Sequence, residues 1–558
     1  MGGSGTGPPT FMAKRAQVYP QVDPGAAALI DVAIAAIPRR ARVIDALRLA
    51  RKREAAVVTA DNRVFVARED LARAESLGLD DLPATALARP LPIVEERAGE
   101  IAVRRHLLGG ARFVIVRDNR RTAVGAVAAS ASQISTSLGA AFPARLGAAG
   151  DALAAVARTA REHQMPAFVV GGVVRDALIG RASAMTRDLD VVVEGDGLRF
   201  APALAAALGA GPAAMTRHER FLTASVVAPN GARVDVATAR AERYDRPGAL
   251  PRVIPASIGE DLGRRDFTIN AMAVELASGA FGVLDPFGGR TALARRRVTI
   301  LHPLSFVDDP TRIFRAARYA ARLGFRLDAW TTRVLGLALR LAPYAALSGQ
   351  RLAAELVLIV GDERPDAALA QLATAGAFRL LARDYRVSRS SAGRIAQLSP
   401  ALEWARTRGL APPALEIAAV AILSGQSAAV TRAALDRLVV TGEPRARLER
   451  ALSARGSESP ARTASARARP LRGLSDTELL ARWLDGSAAR REVEWFVDVA
   501  RPVRPTLGGD DVIALGVTPG PAVADALRAL RDARLDGRVA DRDSESDFVQ
   551  NFLNRKEG

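Results

Sequence analysis

The chain has 558 residues, 49% of them hydrophobic, enough for about three to five domains with buried cores. It has no cysteine, which excludes disulfides and thiolate metal sites, and no apolar run of membrane-spanning length or secretion leader, so a cytoplasmic protein without a membrane anchor is expected. Lys and Arg number 78 against 60 Asp and Glu, a formal charge of +18 carried almost wholly by arginine; this points to a polyanionic partner such as nucleic acid, although a GC-rich genome gives the same excess.

In chain order, the Gly/Pro-rich residues 1–24 are expected to be disordered, within a disordered or partly ordered N-terminus that runs to residue 35. Residues 36–130 then carry one pattern twice. In AAVVTADNRVFVAREDL a strand, an Asp-Asn turn, a strand and a helix follow one another, and ARFVIVRDNRRTAVGAV at residues 111–127 repeats the order after a Pro-flanked link. The two copies, with Asp70 at the strand-to-helix junction, resemble a tandem CBS module. That resemblance implies an adenine nucleotide as ligand and regulation of a neighbouring enzyme; a purely structural appendage is the alternative. Residues 131–164 are expected to be a linker followed by a helix from Asp151 to His163.

The stretch MPAFVVGGVVRDALIGRASAMTRDLDVVVEGDG follows. Ala167 to Val170 reads as a buried strand, Gly171 and Gly172 allow a sharp turn, and the next helix presents free N–H groups with Arg175 one turn in, a seat for phosphate or a plain strand-to-helix turn. Asp188 and Asp190 stand at i and i+2 of a second strand, so their carboxylates face one side while Leu189 faces the core. Such a pair calls for a cation between its members, for which Mg²⁺ is the natural candidate, unless it is an exposed edge-strand pair. A helix from Leu198 to Leu208 and a hairpin around Pro229-Asn230-Gly231 come next. The hairpin's second strand offers Asp235 as a third carboxylate, either part of the site or a solvated strand residue.

In EDLGRRDFTINAMA, residues 260–273, Arg264, Arg265 and Asp266 are expected to open an apolar helix, with Asn270 one turn on. Arg265 suits a triphosphate, Asp266 and Asn270 a ribose. The turn Leu284 to Gly289 is read as a point of flexure. Asp308 or Asp309 is expected to cap a helix with Pro310 in its first turn, and Asp309 and Arg312, at i and i+3, to hold their heads side by side. An acceptor beside a donor matches the edges of adenine and cytosine and refuses guanine and uracil. Arg315 and Arg318 continue the row toward phosphates, while Ile313, Phe314, Tyr319 and Leu323 form the apolar face. Beyond residue 330 the chain reads as Ala/Leu/Arg helices, with a linker from Ser453 to Arg472 and a polar end.

The ordered set GGVVRD, DLD, VDVATAR, RRDFTINAMA, LDPFGG, DDPTRIFRAAR and LSGQRLAAEL resembles the class II tRNA nucleotidyltransferases and related bacterial poly(A) polymerases. It covers residues 165–360, and LGGDDVIALGVTPGPAVADAL looks like the tRNA-binding tail of the CCA-adding branch. The resemblance implies an α+β fold: a polymerase-β-like head at 165–300, a helical neck at 301–360 and a helical body and tail at 361–558, behind the α/β CBS-like module. It further implies two Mg²⁺ ions on Asp188 and Asp190, triphosphate contacts from Gly172 and Arg175, phosphate and ribose contacts from Arg265 and Asp266, and base reading by Asp309 with Arg312, Arg315 and Arg318 nearby. The implied reaction is attack of an RNA 3′-hydroxyl on the α-phosphate of ATP or CTP, with the tRNA acceptor end as partner. One position departs from the pattern: Asp308 stands where the family usually has Glu. A poly(A) polymerase and an inactive regulatory RNA binder are the alternatives.

Overall fold

A computed structural model describes residues 25–129, 134–181, 187–453 and 462–557. The expectation for residues 1–24 and the centre of the Ser453–Arg472 break lie outside them. Within the repeated region, β1 (Ile34–Ala36), α1 (Val43–Lys52), β2 (Val57–Ala60), β3 (Val64–Ala67) and α2 (Arg68–Ser76) form one copy. The second has β4 (Ile93–Glu95), α3 (Glu100–Leu108), β5 (Phe113–Arg117) and β6 (Ala123–Ala128). In each copy the first strand pairs parallel with the second and the second antiparallel with the third. Asp61 and Asn62 close β2–β3 with φ of 55° and 52°, the left-handed turn that these residue types tolerate best after glycine. Val57, Phe65 and Ala67 of one sheet bury against Phe113, Ile115 and Ala126 of the other. Residues 25–35 are ordered, because Ala26 packs with Val94, Val103 and Val114 and Val32 bridges Ala126.

The head follows with β7 (Ile134–Ser137), α4 (Ala148–Glu162), β8 (Ala167–Val170), α5 (Gly172–Leu178), β9 (Asp188–Val193), α6 (Gly197–Ala207), β10 (Met215–His218), β11 (Thr223–Val227), β12 (Arg233–Thr238), β13 (Arg240–Arg243), β14 (Arg252–Pro255), α7 (Ile258–Gly263), β15 (Ala273–Glu275) and β16 (Gly282–Leu284). Its eight-stranded mixed sheet runs β10-β11-β12-β9-β8-β15-β16-β7. The stretch read as linker and helix thus supplies an edge strand, β7, and a helix, α4, that covers one face. Leu153, Val156 and Ala160 of α4 share a core with Val169, Val191, Val193, Val234 and Val236. On the other face Phe168, Val170 and Val192 meet Ile258 and Leu262 of α7.

Two expectations fail here for local reasons. Residues 264–273 are not one helix: α7 ends at Gly263, Phe267 is extended (φ −135°, ψ 151°), and a single 3₁₀ turn, Thr268–Asn270, precedes β15. The Asp266 carboxylate accepts the Phe267 N–H at 2.8 Å and the Asn270 side chain at 3.1 Å, offering the backbone an alternative to the helix ladder. The turn Leu284 to Gly289 is a seat and not a hinge. Asp285 accepts the N–H groups of Gly289 (2.6 Å) and Arg290 (2.9 Å) at the start of α8 (Gly289–Ala294), and a Cβ on Gly110 would lie 2.0 Å from the nitrogen of Gly288. The N-terminal module docks on this glycine contact.

The neck contains α9 (Ser305–Asp308), α10 (Thr311–Leu323), α11 (Ala329–Leu341) and α12 (Gly349–Val360), and helices continue to the end. The tail has its own core of Leu507, Val512, Val517, Leu530 and Val549. The polar end is a helix, Arg542–Glu557, pinned by fully buried Glu545, which accepts the N–H groups of Thr506 and Leu507. No helix among the described residues is long and apolar enough to cross a membrane.

Candidate active site

Strand alternation turns Asp188 and Asp190 outward and buries Leu189, which is 1% exposed. Burying that leucine contributes about 2 kcal/mol and fixes the register, since a slip of one residue would exchange it with the aspartates. Parallel pairing with β12 then sets Asp235 beside Asp190 and Arg233 beside Asp188. Three acids therefore share one face of two central strands. Asp188 and Asp190 accept no hydrogen bond from a described residue. Asp235 is engaged, taking the Ser225 hydroxyl and Arg233 Nε at 3.0 Å. Desolvation in the cleft, helped by the charges of Asp235 and Asp188, pushes the Asp190 pKa up, while Arg265 and Arg233 pull against it.

The cleft, about 390 Å³, is lined by Asp190, His218, Ser225, Arg233, Asp235 and Arg265 among others. Gly171 bounds it with φ 75°, and a Cβ there would sit 3.4 Å from Arg265 Nη1 and 3.6 Å from Asp190 Oδ2. Any side chain would thus fill the gap between cation and acid. Two bare carboxylates on one face, with room beside them, fit Mg²⁺, which takes one or two carboxylates and completes its shell with water and substrate phosphate. Among the described residues no third His, Cys, Asp or Glu joins them as a ready metal cluster; Asp235 faces Arg233 instead.

Arg265 is aimed by a residue that the sequence reading passed over. Asp261, with 0% exposure, accepts Arg265 Nη2 at 3.0 Å through one oxygen and Arg264 Nε and Nη2 at 2.9 and 2.8 Å through the other. Its spacing of three and four residues from the arginines on one helical turn was the available signal. Arg264 also donates to Glu242 at 2.7 Å, and Glu242 accepts the Tyr244 hydroxyl at 2.8 Å.

Arg175 is placed differently from the expected phosphate contact. It is 4% exposed and spent on Asp176 (2.8 and 3.0 Å) and on Asn270 Oδ1 (2.8 Å). Asn270 donates to Asp266, and Asp266 receives Arg315 through Nε (2.9 Å) and Nη2 (2.6 Å). Burial works against the Asp266 carboxylate, but Arg315 and Asn270 outweigh it and hold its pKa below the ordinary value. Arg175, Asn270, Asp266 and half-buried Arg315 thus form one chain of bonds from the glycine turn to the neck. Arg318 lies 4.0 Å from Glu355 and 3.6 Å from Asp362 of the next segment, so the arginine row faces acids. Tyr319 stands among four guanidinium groups, those of Arg175, Arg315, Arg318 and Arg322, 5.0 to 5.9 Å from its ring centre.

Asp309 and Arg312 are not side by side as expected. Asp309 lies outside the helix (φ −136°, ψ 97°), so helical i, i+3 spacing does not apply to it. Its carboxylate takes the Thr311 N–H (3.0 Å) and hydroxyl (2.7 Å) and pairs with Arg351 at 2.7 Å. Arg312 donates to Ser305 Oγ at 2.9 Å and to the Arg264 carbonyl at 2.8 Å. Asp308 is 1% exposed and bonds Arg73 of the N-terminal module at 2.7 Å. Asp70 is likewise 1% exposed and closed off by Arg89, so the residue that carries the CBS resemblance offers no open carboxylate to a ligand.

The family described as "Poly A polymerase head domain" matches residues 167–299. An A-adding tRNA nucleotidyltransferase of Geobacter sulfurreducens is 35% identical over 400 residues, 69% of this chain and 45% of that protein, so the chain spans less than half of that relative. The A-adding enzyme of Halalkalibacterium halodurans is 30% identical over 71% of this chain and 91% of its own length, and the CC-adding enzyme of Deinococcus radiodurans 35% identical over 69% and 89%. Among solved structures, a CCA-adding enzyme in its apo form II aligns with TM-score 0.63 and 28% identity over 72% of this chain and 95% of the other. The Thermotoga maritima CCA-adding enzyme complexed with tRNA aligns with TM-score 0.61 and 26% identity over 74% and 97%. With a head, a neck and an acid face of this kind, and relatives matched along nearly their whole length, the chain belongs to the tRNA nucleotidyltransferase family.

Proposed function

We propose that this protein adds C, A or both to the 3′ end of tRNA without a template, using ATP, CTP or both. The observation that carries this reading is the paired register of Asp190 and Asp235, with Asp188 on the same face, opposite the Gly171–Arg265 gap. Mg²⁺ ions held by Asp188 and Asp190 would lower the pKa of the RNA 3′-hydroxyl and neutralise the departing pyrophosphate. Arg265, aimed by Asp261, seats the triphosphate in the space that Gly171 leaves open. Asp235 keeps Arg233 beside the acids as a further cation for phosphate. Asp309 and Arg312 read the base, one as acceptor and one as donor, each braced by its own partners. Arg175, Asn270, Asp266 and Arg315 position the glycine turn and the neck helix, and Asp266 is the acceptor assigned to a ribose. Arginines of the body and tail hold the RNA by shape and phosphate. We also infer a cytoplasmic setting, which the cysteine-free composition suits.

The relatives' names support both A addition and CC addition, so the assay must separate them. Three tRNA substrates, lacking all, two or one of the terminal nucleotides, are incubated with labelled CTP or ATP. Incorporation on a defined end, stopping within the missing positions, is the expected result. The match to a poly A polymerase head favours a second reading, long A tails on unstructured RNA with CTP ignored, which the same assay would expose. No incorporation on any substrate would leave an RNA binder.

A further inference from the structure

One ion pair joins residues 235 positions apart. Arg73, on α2 of the N-terminal module, donates Nη1 to Asp308 Oδ2 at 2.7 Å. Asp308 ends α9 and is 1% exposed, and its other oxygen has no hydrogen-bond partner among the described residues. His302 Nε2 lies 3.6 Å away, but burial, reinforced by Arg73 and Arg312, pushes its pKa well below the ordinary value and keeps it neutral. Arg73 is the directly paired cation that, with the charge of Arg312, opposes the desolvation that raises the pKa of this buried carboxylate.

That carboxylate matters to Arg312. Arg312 is 6% exposed, and among the described residues its guanidinium donates to two neutral oxygens, Ser305 Oγ on the same helix as Asp308 and the Arg264 carbonyl. Tyr244, Asp309, Asp308 and Asp266 offset its burial through space. The module cannot swing Arg73 away, because Arg89 Nη1 bonds the Leu301 carbonyl at 3.2 Å, Trp330 Nε1 bonds the Ala88 carbonyl at 3.0 Å, and the Gly110–Gly288 contact locks the far side. Arg73 and Asp308 also line a cavity of about 1130 Å³ between module and head, together with Tyr244 and Arg264.

We propose that Arg73 is a positioning residue for nucleotide selection: its ion pair with Asp308 fixes α9, the Ser305 of α9 holds Arg312, and the N-terminal module thereby becomes part of the base-reading site. This rests on the reading of Asp309 and Arg312 as base contacts. The test uses the full chain and a double-mutant cycle of Arg73→Gln and Asp308→Asn, measuring kcat/KM for all four triphosphates on tRNA ends. Binding of each Mg²⁺–triphosphate without RNA is measured in parallel. Either single change is expected to lower the preference for the favoured nucleotide over GTP and UTP about tenfold, and the double change no further, because both break the same ion pair. Arg73→Lys is expected to restore most of the preference. Equal losses for all four nucleotides, additive losses in the double variant, or an unchanged preference would overturn the proposal. Asp308→Asn decides alone if Arg73→Gln fails to fold. Selective triphosphate binding without RNA extension would sink the tRNA reading while leaving this one standing.

Discussion

The acid face of the head and the base-reading corner of the neck are built in opposite ways. On β9 the carboxylates of Asp188 and Asp190 are bare, placed by strand alternation and one parallel pairing. Around α10 nearly every charge already has a partner: Asp309 with Arg351, Asp266 with Arg315, Asp308 with Arg73. Unpaired charge marks where substrate or metal must complete the structure, and paired charge marks where the geometry is fixed beforehand. A site that chooses its base without a template needs the second kind, because pre-aimed donors and acceptors lose least when the right partner arrives.

The largest expected effects strike the bare side. Asp188→Ala or Asp190→Ala should lower the addition rate by about 10³-fold or more, read in single-turnover assays. Asp190→Asn adds a sharper contrast. The folded pKa of Asp190 is raised, so its ionised form weighs against folding above the ordinary carboxylate pKa, and that cost disappears as pH falls through the raised value. The amide should therefore raise the melting temperature of the Mg²⁺-free protein at neutral pH while abolishing activity; a lower melting temperature would refute the account. By the same sign, activity at limiting Mg²⁺ should fall on acidification at a pH above that of an ordinary aspartate, and saturating Mg²⁺ should move this limb down.

On the braced side the effects are smaller and should appear in selectivity. Asp261→Asn, which loosens Arg265 without removing it, is expected to cost about 10–100-fold in kcat/KM for every nucleotide alike. Arg351→Ala, which frees Asp309, should alter the ratio between nucleotides by about tenfold and the rate with the favoured one by less. If Arg351→Ala instead slowed all four nucleotides equally, the contrast between the two regions would collapse. The smallest effect belongs to the tail: removing residues 506–557 should raise KM for tRNA and flatten its salt dependence, with kcat nearly unchanged.

How much of this was legible follows from the range of the forces. The DLD face could be read because a period of two is local and needs only a strand. Asp235 was placed by its hairpin, and the structure added its partner Arg233. Helical spacing misled twice. Asp309 sits just before the helix that would have aligned it with Arg312, and Asp266 turns its carboxylate onto the Phe267 N–H where a helix was expected to open. Arg175 read as a phosphate ligand because its spacing fits one, but its commitment to Asn270 joins residues 95 apart. No sequence pattern announces the Arg73–Asp308 pair. The nucleotidyltransferase reading itself came from the ordered motifs, which the comparisons bear out.

The tail's separate core has a further consequence. Leu507, Val512, Leu530 and Val549 pack among themselves, and the joint to the body includes polar bonds, with Arg472 meeting Asp532 and Ser465 donating to Asp536 at 2.8 Å. A unit that buries most of its own hydrophobic residues and is tethered by polar bonds, with Leu535 alone of its large apolar side chains given to the main core among the described residues, is a separate cooperative element. Heating should release it ahead of the rest as a distinct calorimetric transition, and raising ionic strength should bring that transition to lower temperature.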